Sequence, residues 1–167
     1  MKPDVRLWLI GLALFIPLIA LGVMLLAATD YGILDHQQAG SADRVETIQR
    51  AWREAGLRWL AIVAMLGDMV FITLYSAGAF VAGRSLLGSG GVVRVAGLVG
   101  MASAPAFYLA DTIETGLQLY QLLADEGSDR LATIVAAMQI PKLAAWISSF
   151  LAIATALLIR RWSSPGA

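Results

Sequence analysis

Residues 7–28 read LWLIGLALFIPLIALGVMLLAA, an unbroken apolar run without one charged side chain. At about 1.5 Å of rise per residue, a helix of that length covers the roughly 30 Å of a bilayer's hydrocarbon core. The run is longer than the roughly 7–15 residues of a signal-peptide core, and no small-x-small cleavage pattern follows it. It therefore predicts a retained membrane helix, with Pro17 as a kink. Three further apolar stretches follow, at about 57–83, 92–123 and 131–159, the last containing Pro141. Each is longer than the bilayer requires, so tilt or protruding ends are expected.

Composition points the same way. Hydrophobic residues make up 59% of the 167 and charged ones 14%, whereas a water-soluble domain has about a quarter of its residues charged. A core this small cannot hide such an excess, and lipid must cover the remainder. The expected fold is all-α: a single transmembrane domain over residues 1–167, built as a four-helix bundle with a short amphipathic outer helix. The net charge is zero, which gives no footprint for nucleic acid. Cysteine is absent, which excludes disulfides, thiolate catalysis, iron–sulfur clusters and cysteine zinc sites. The single histidine, His36, reads as part of a polar loop, so a haem held between two histidines is excluded as well. No cofactor and no metal are expected.

Basic residues set the orientation. Lys2 and Arg6 precede the first span, Arg84 and Arg94 flank the loop after the second, and Arg160 and Arg161 follow the fourth. The other two loops mix signs, and the positive-inside rule puts the first set in the cytoplasm. Both termini are then cytoplasmic in a multi-pass protein of a bacterial inner membrane. Trp8 and Trp162 would mark the inner interface, and Tyr31, Trp52, Trp59 and Tyr120 the outer one. Gly88-Ser89-Gly90-Gly91 reads as a flexible loop without the strand, lysine and helix of a phosphate-binding loop. The tail 163–167 reads as disordered.

The loop before the second span carries its own pattern. Asp43 followed by Glu46 fits a capping box, and Val45, Ile48, Trp52, Ala55 and Trp59 recur at helical spacing. Glu46–Arg50 and Arg50–Glu54 stand four apart and could pair along the opposite side. This predicts an amphipathic helix, lying on the outer surface as an anchor or lid, or extending the second span. A docking surface for a partner protein is the alternative. In the third span Ala96, Gly100 and Ala104 stand four apart, a small-residue stripe that lets helices approach closely.

Four ionisable residues interrupt the spans: Asp68, Asp111, Glu114 and Lys142. On insertion scales each is worth about 2.5–3.5 kcal/mol against burial at a helix centre, so each needs a partner or water. Counting from the charged loop ends at about 1.5 Å per residue puts all four about 15–21 Å into their helices, at a similar level. Helical periodicity then gives each a face. Asp111, Glu114, Thr115 and Gln118 share one stripe, with Tyr108 a turn below. Gln139, Lys142, Trp146 and Ser149 share another, and Asp68 goes with Met65, Ile72 and Tyr75. Turned inward, these stripes make one polar layer, with Gln118, Gln139 and Tyr75 supplying hydrogen bonds. Three acids against one lysine leave an excess that a protonated carboxyl, a cation or water must relieve. Two readings are open: Lys142 bridges helices by pairing with Asp68 or Asp111, or the layer is a functional polar cavity.

Other chemistries fit less well. Asp111-Thr112-Ile113-Glu114 spaces two carboxylates as a magnesium pair might, without the aspartate repeats of prenyl transferases. Leu66-Gly67-Asp68 lacks the first glycine of the intramembrane aspartyl protease pattern, since Met65 stands there. A di-iron bundle needs Glu-x-x-His. Carboxylate acid–base catalysis on a lipid or isoprenoid group stays open, because buried carboxyls suit it.

The pieces Gly67-Asp68-Met69-Val70-Phe71 with Tyr75, Ala110-Asp111-Thr112-Ile113-Glu114 and Pro141-Lys142, with the polar loop before the second span, resemble a group of small four-helix bacterial membrane proteins. In that group a proline and an asparagine are common after the phenylalanine and the glutamate, where this chain has Ile72 and Thr115. The resemblance implies the fold and a shared role for the charged positions, and no activity. The functional expectation is a membrane protein that binds or moves a small polar or cationic species, protons included. The alternatives are an accessory or scaffold subunit and a lipid-acting enzyme. Partners expected are the lipid bilayer and, because four helices make a thin bundle, further copies or a larger membrane complex.

Overall fold

The computed structural model describes residues 4–162, so the expectation for the tail 163–167 and the position of Lys2 lie outside the described residues. Six helices follow in order: α1 Arg6–Thr29, α2 Ile33–Gln37, α3 Ala42–Glu54, α4 Arg58–Leu86, α5 Gly91–Ala124 and α6 Asp129–Trp162. The fold is all-α. Four of the helices, α1, α4, α5 and α6, are long and apolar enough to cross a membrane. Pro17, Pro105 and Pro141 lie inside three of them, as membrane helices tolerate. Much apolar surface faces outward: Ile140 is 81% exposed, Ile16 70% and Val92 64%. In water a surface of this kind would drive aggregation, so these helices mark a multi-pass membrane protein.

The chain forms two compact units, each built from parts of α1, α4, α5 and α6. The capped unit comprises Leu14–Phe71 and Ala110–Ile140 and contains α2 and α3 whole. The terminal unit comprises residues 4–13, 72–109 and 141–162.

In the capped unit, α3 lays Val45, Ile48 and Trp52 inward. Ile48 and Trp52 pack with Leu25 of α1, Leu60, Ala61 and Met65 of α4, and Leu122 of α5. The capping differs from the expected Asp43–Glu46 box. Ser41, with extended backbone, is the N-cap and accepts from Arg44 N at 3.3 Å. Asp43 falls in the first turn, where its charge favours the helix dipole. Glu46 accepts from Gly127 N at 3.4 Å, and among the described residues the Glu46–Arg50 and Arg50–Glu54 pairs do not form. Arg53 of α3 pairs with Asp125. α3 does not run on into α4, because Gly56 at φ +70° breaks the chain between them. Ala55, just before the break, is exposed.

Further bonds fasten the cap. Ala42 N donates to Asp129 Oδ1 at 2.7 Å, and Arg58 Nη2 donates to Leu122 O at 2.7 Å. Trp52 Nε1 donates to Tyr31 O at 2.7 Å, and Arg44 lies 4.7 Å over the Tyr31 ring. Trp52, expected at a membrane interface, is fully buried. Its indole belongs to the core because its one donor has a backbone partner there. Trp59 and Tyr120 are exposed, at 60% and 63%.

The terminal unit is assembled by close backbone approach. A Cβ on Gly78 would stand 2.2 Å from Trp8 N, and one on Gly83 2.7 Å from Gly97 O. Leu86, Val93, Ala96 and Ala156 form its apolar cluster, with Ala152 and Ile159 against them. Gly100 faces Ile153, and Ala104 is buried, so the small-residue stripe packs as its spacing predicts. Trp8 is buried, with its ring 5.8 Å from Phe150. Gly78 admits its backbone, and the ring follows inward.

Candidate functional site

The buried face of α5 carries the polar side chains that its periodicity predicts. Asp111 is 4% exposed, Thr115 1%, and Glu114 and Gln118 0%. All four stand in the capped unit, as does Asp68 of α4. Thr115 Oγ1 donates to Asp68 Oδ2 at 2.8 Å, so α4 and α5 are joined by the residue that departs from the resembling group's pattern. Gln118 is different. Neither its Oε1 nor its Nε2 has a hydrogen-bond partner among the described residues. A buried amide left so is worth about 1–3 kcal/mol against folding for each unsatisfied group. None of Asp68, Asp111, Glu114 and Lys142 is without an interaction partner.

The other predicted positions divide. Gln139 Nε2 donates to Gln37 Oε1 at 3.3 Å, tying α6 to α2 within the capped unit. Lys142, three residues further along α6, falls in the terminal unit and is half-buried. Tyr75 lies in the terminal unit, fully buried, where its hydroxyl meets Ser149 Oγ at 2.9 Å and the Trp146 carbonyl at 3.4 Å. Its ring packs edge-on against Phe107, 5.3 Å away. Tyr108 is 40% exposed and leaves the stripe it was expected to join. A position three residues before Asp111 is about 60° off its axis, enough here to turn the phenol outward.

A second polar group lies beneath the cap. His36 sits in the short helix α2 at 1% exposure, not in a polar loop. Gln49 Nε2 and His36 Nε2 are hydrogen-bonded at 3.2 Å, and the imidazole stacks on Trp52 at 5.2 Å. Burial pushes the His36 imidazole down from 6.5 to about 4, so it is neutral near pH 7. Gln121 Oε1 accepts from Ser128 N at 3.0 Å and so holds the turn before α6. Gln49 and Gln121 continue the inward stripes of α3 and α5. Their periodicity was the available signal. His36 and Gln37 had none, because five residues are too few to show a period.

Charge separates the units sharply. The capped unit holds eleven of the twelve acidic residues and five basic ones. The described residues of the terminal unit hold six basic residues and one acid, Asp4. The zero net charge thus conceals an acidic unit and a basic one. Among the described residues no group of three or more His, Cys, Asp or Glu side chains could hold a metal ion.

These features define a multi-pass membrane protein with polar and acidic side chains buried in one of its two units. Searches against family models, curated proteins and solved structures find no match to the chain.

Proposed function

We propose that this protein binds or moves a small polar or cationic species, protons included, through Asp68, Asp111 and Glu114 of the capped unit. It would do so in a bacterial cytoplasmic membrane with both termini inside and the α2–α3 cap outside. The observation that carries the reading is the buried face of α5, where two carboxyls and the Gln118 amide stand in a helix otherwise fit for lipid. Buried carboxyls in a membrane helix are retained where a cation or a proton compensates them. Gln118 and Gln139 of the same unit add hydrogen-bonding capacity.

A scaffold role is the second reading, favoured by the Thr115–Asp68 bond between α4 and α5. Reconstitution into vesicles with an entrapped pH-sensitive dye, together with pH-dependent ion binding in detergent, separates the two. Expected are flux or binding in the native protein and at least a tenfold loss in Glu114→Gln and Asp68→Asn of unchanged helicity. Equal signals from native and variant proteins would sink this reading.

A further inference from the structure

The terminal unit gathers positive charge where three helix ends meet. Arg84 lies in the last turn of α4, Arg94 in the first turn of α5, and Arg160 and Arg161 in the last turn of α6. Their convergence is fixed by packing: Leu86, Val93 and Ala156 share one cluster, and Gly83 and Gly97 touch backbone to backbone. Arg160 Nη1 donates to Ser89 Oγ at 2.9 Å, which clasps the end of α6 to the α4–α5 turn. Arg84, Arg94 and Arg161 are exposed. No aspartate or glutamate occurs anywhere in residues 72–109 or 141–162.

Exposed apolar side chains adjoin these guanidinium groups. Val92 is 64% exposed, Val95 59%, Leu158 53% and Trp162 79%. A ligand that matches both features carries a phosphate at one end and hydrocarbon at the other. Guanidinium groups grip phosphate oxygens in pairs, and an indole prefers the level of the headgroups. A soluble anion would use the arginines and leave the apolar flank uncovered.

We propose that the α4–α5 turn and the end of α6 form a binding site for an anionic phospholipid, its phosphate held by Arg94, Arg160 and Arg161 and its chains along Val92, Val95 and Leu158. Ser89 acts as a positioning residue that holds Arg160 in place. This site is independent of the buried acids.

The test uses the full chain, purified in neutral detergent and titrated with phosphatidylglycerol or phosphatidylcholine, with bound lipid counted by native mass spectrometry. Phosphatidylglycerol should be retained at least tenfold better, with the preference fading at high salt. Each exposed arginine removed should weaken retention about fivefold, so Arg94→Gln with Arg161→Gln lowers it about 25-fold. Arg50→Gln with Arg53→Gln in the capped unit should leave it unchanged. Equal retention of the two lipids by the native protein overturns the proposal, and that arm does not depend on any variant folding. Displacement of the lipid by millimolar inorganic phosphate also overturns it, since the site would then be one for a free anion.

Discussion

The capped and terminal units use the same four long helices and solve opposite packing problems. In the terminal unit, glycines bring backbones together, the interior is apolar apart from Tyr75, Ser76 and Ser149, and, Asp4 and the half-buried Lys142 aside, the charges are basic and near helix ends. In the capped unit, the interior holds His36, Gln37, Gln49, Asp111, Glu114, Thr115, Gln118 and Gln121 beneath a helical cap. A membrane helix needs no such polar interior to be stable, since van der Waals packing and small residues suffice. The terminal unit has that kind of packing. The polar residues of the capped unit therefore call for a reason beyond cohesion, and that contrast supports placing the function there.

The contrast can be broken most forcefully at its glycines. Gly78→Ala in the terminal unit drives a methyl to within 2.2 Å of Trp8 backbone and should cost about 3 kcal/mol or more. Gly116→Ala in the capped unit meets only the Met69 methyl at 3.6 Å, an ordinary contact. Helix propensity then favours alanine by up to about 1 kcal/mol. Thermal unfolding in detergent measures both, and similar losses would remove the distinction between the two kinds of packing.

Acid probes the cap. The unfolded His36 imidazole takes up its proton near pH 6.5, while the folded one waits until about 4. The folded state therefore binds fewer protons within that window. Stability on this account is complete above pH 6.5 and falls as pH drops towards 4, by about 2 kcal/mol between pH 7 and pH 5. His36→Phe keeps a ring for stacking on Trp52 and should flatten the dependence. An identical pH profile for native protein and variant would show that His36 is not the group responsible.

The smallest effect sharpens the functional half of the contrast. Gln118→Met removes a fully buried amide that lacks hydrogen-bond partners and should raise stability by about 1 kcal/mol. Ion binding should fall at the same time. A gain in stability with binding unchanged would place Gln118 outside the working site.

Much of this was readable in advance, and the limits follow from physics. The stripe Asp111, Glu114, Thr115 and Gln118 was legible because a helix of α5's length repeats its period many times, so one face is overdetermined. Tyr108 departs from the stripe because an amphipathic phenol at its edge is placed by its neighbours and not by its own period. Residue type alone points Trp52 to an interface, but a ring suits a core equally well once its N–H finds a partner, as Trp52's does; Trp8 is buried through the close approach that Gly78 allows. The capping residue was displaced by two positions because Ser, Asp and Glu all compete for exposed N–H groups. Ser41 holds that role through its extended backbone.

The sequence by itself determined the class of protein: apolar runs long enough for a bilayer admit only helices there, because every backbone polar group must be satisfied within the segment. It also pointed to Asp111 and Glu114 on the inward face of α5, whereas Asp68 and Lys142, expected with them, are only half-buried. Tertiary structure decided that α2 and α3 close over one unit and that His36 and Gln49 meet beneath them. It also decided that Thr115 takes Asp68 as its partner. Those outcomes depend on which helix face meets which neighbour, and that is fixed by packing between segments far apart in the chain.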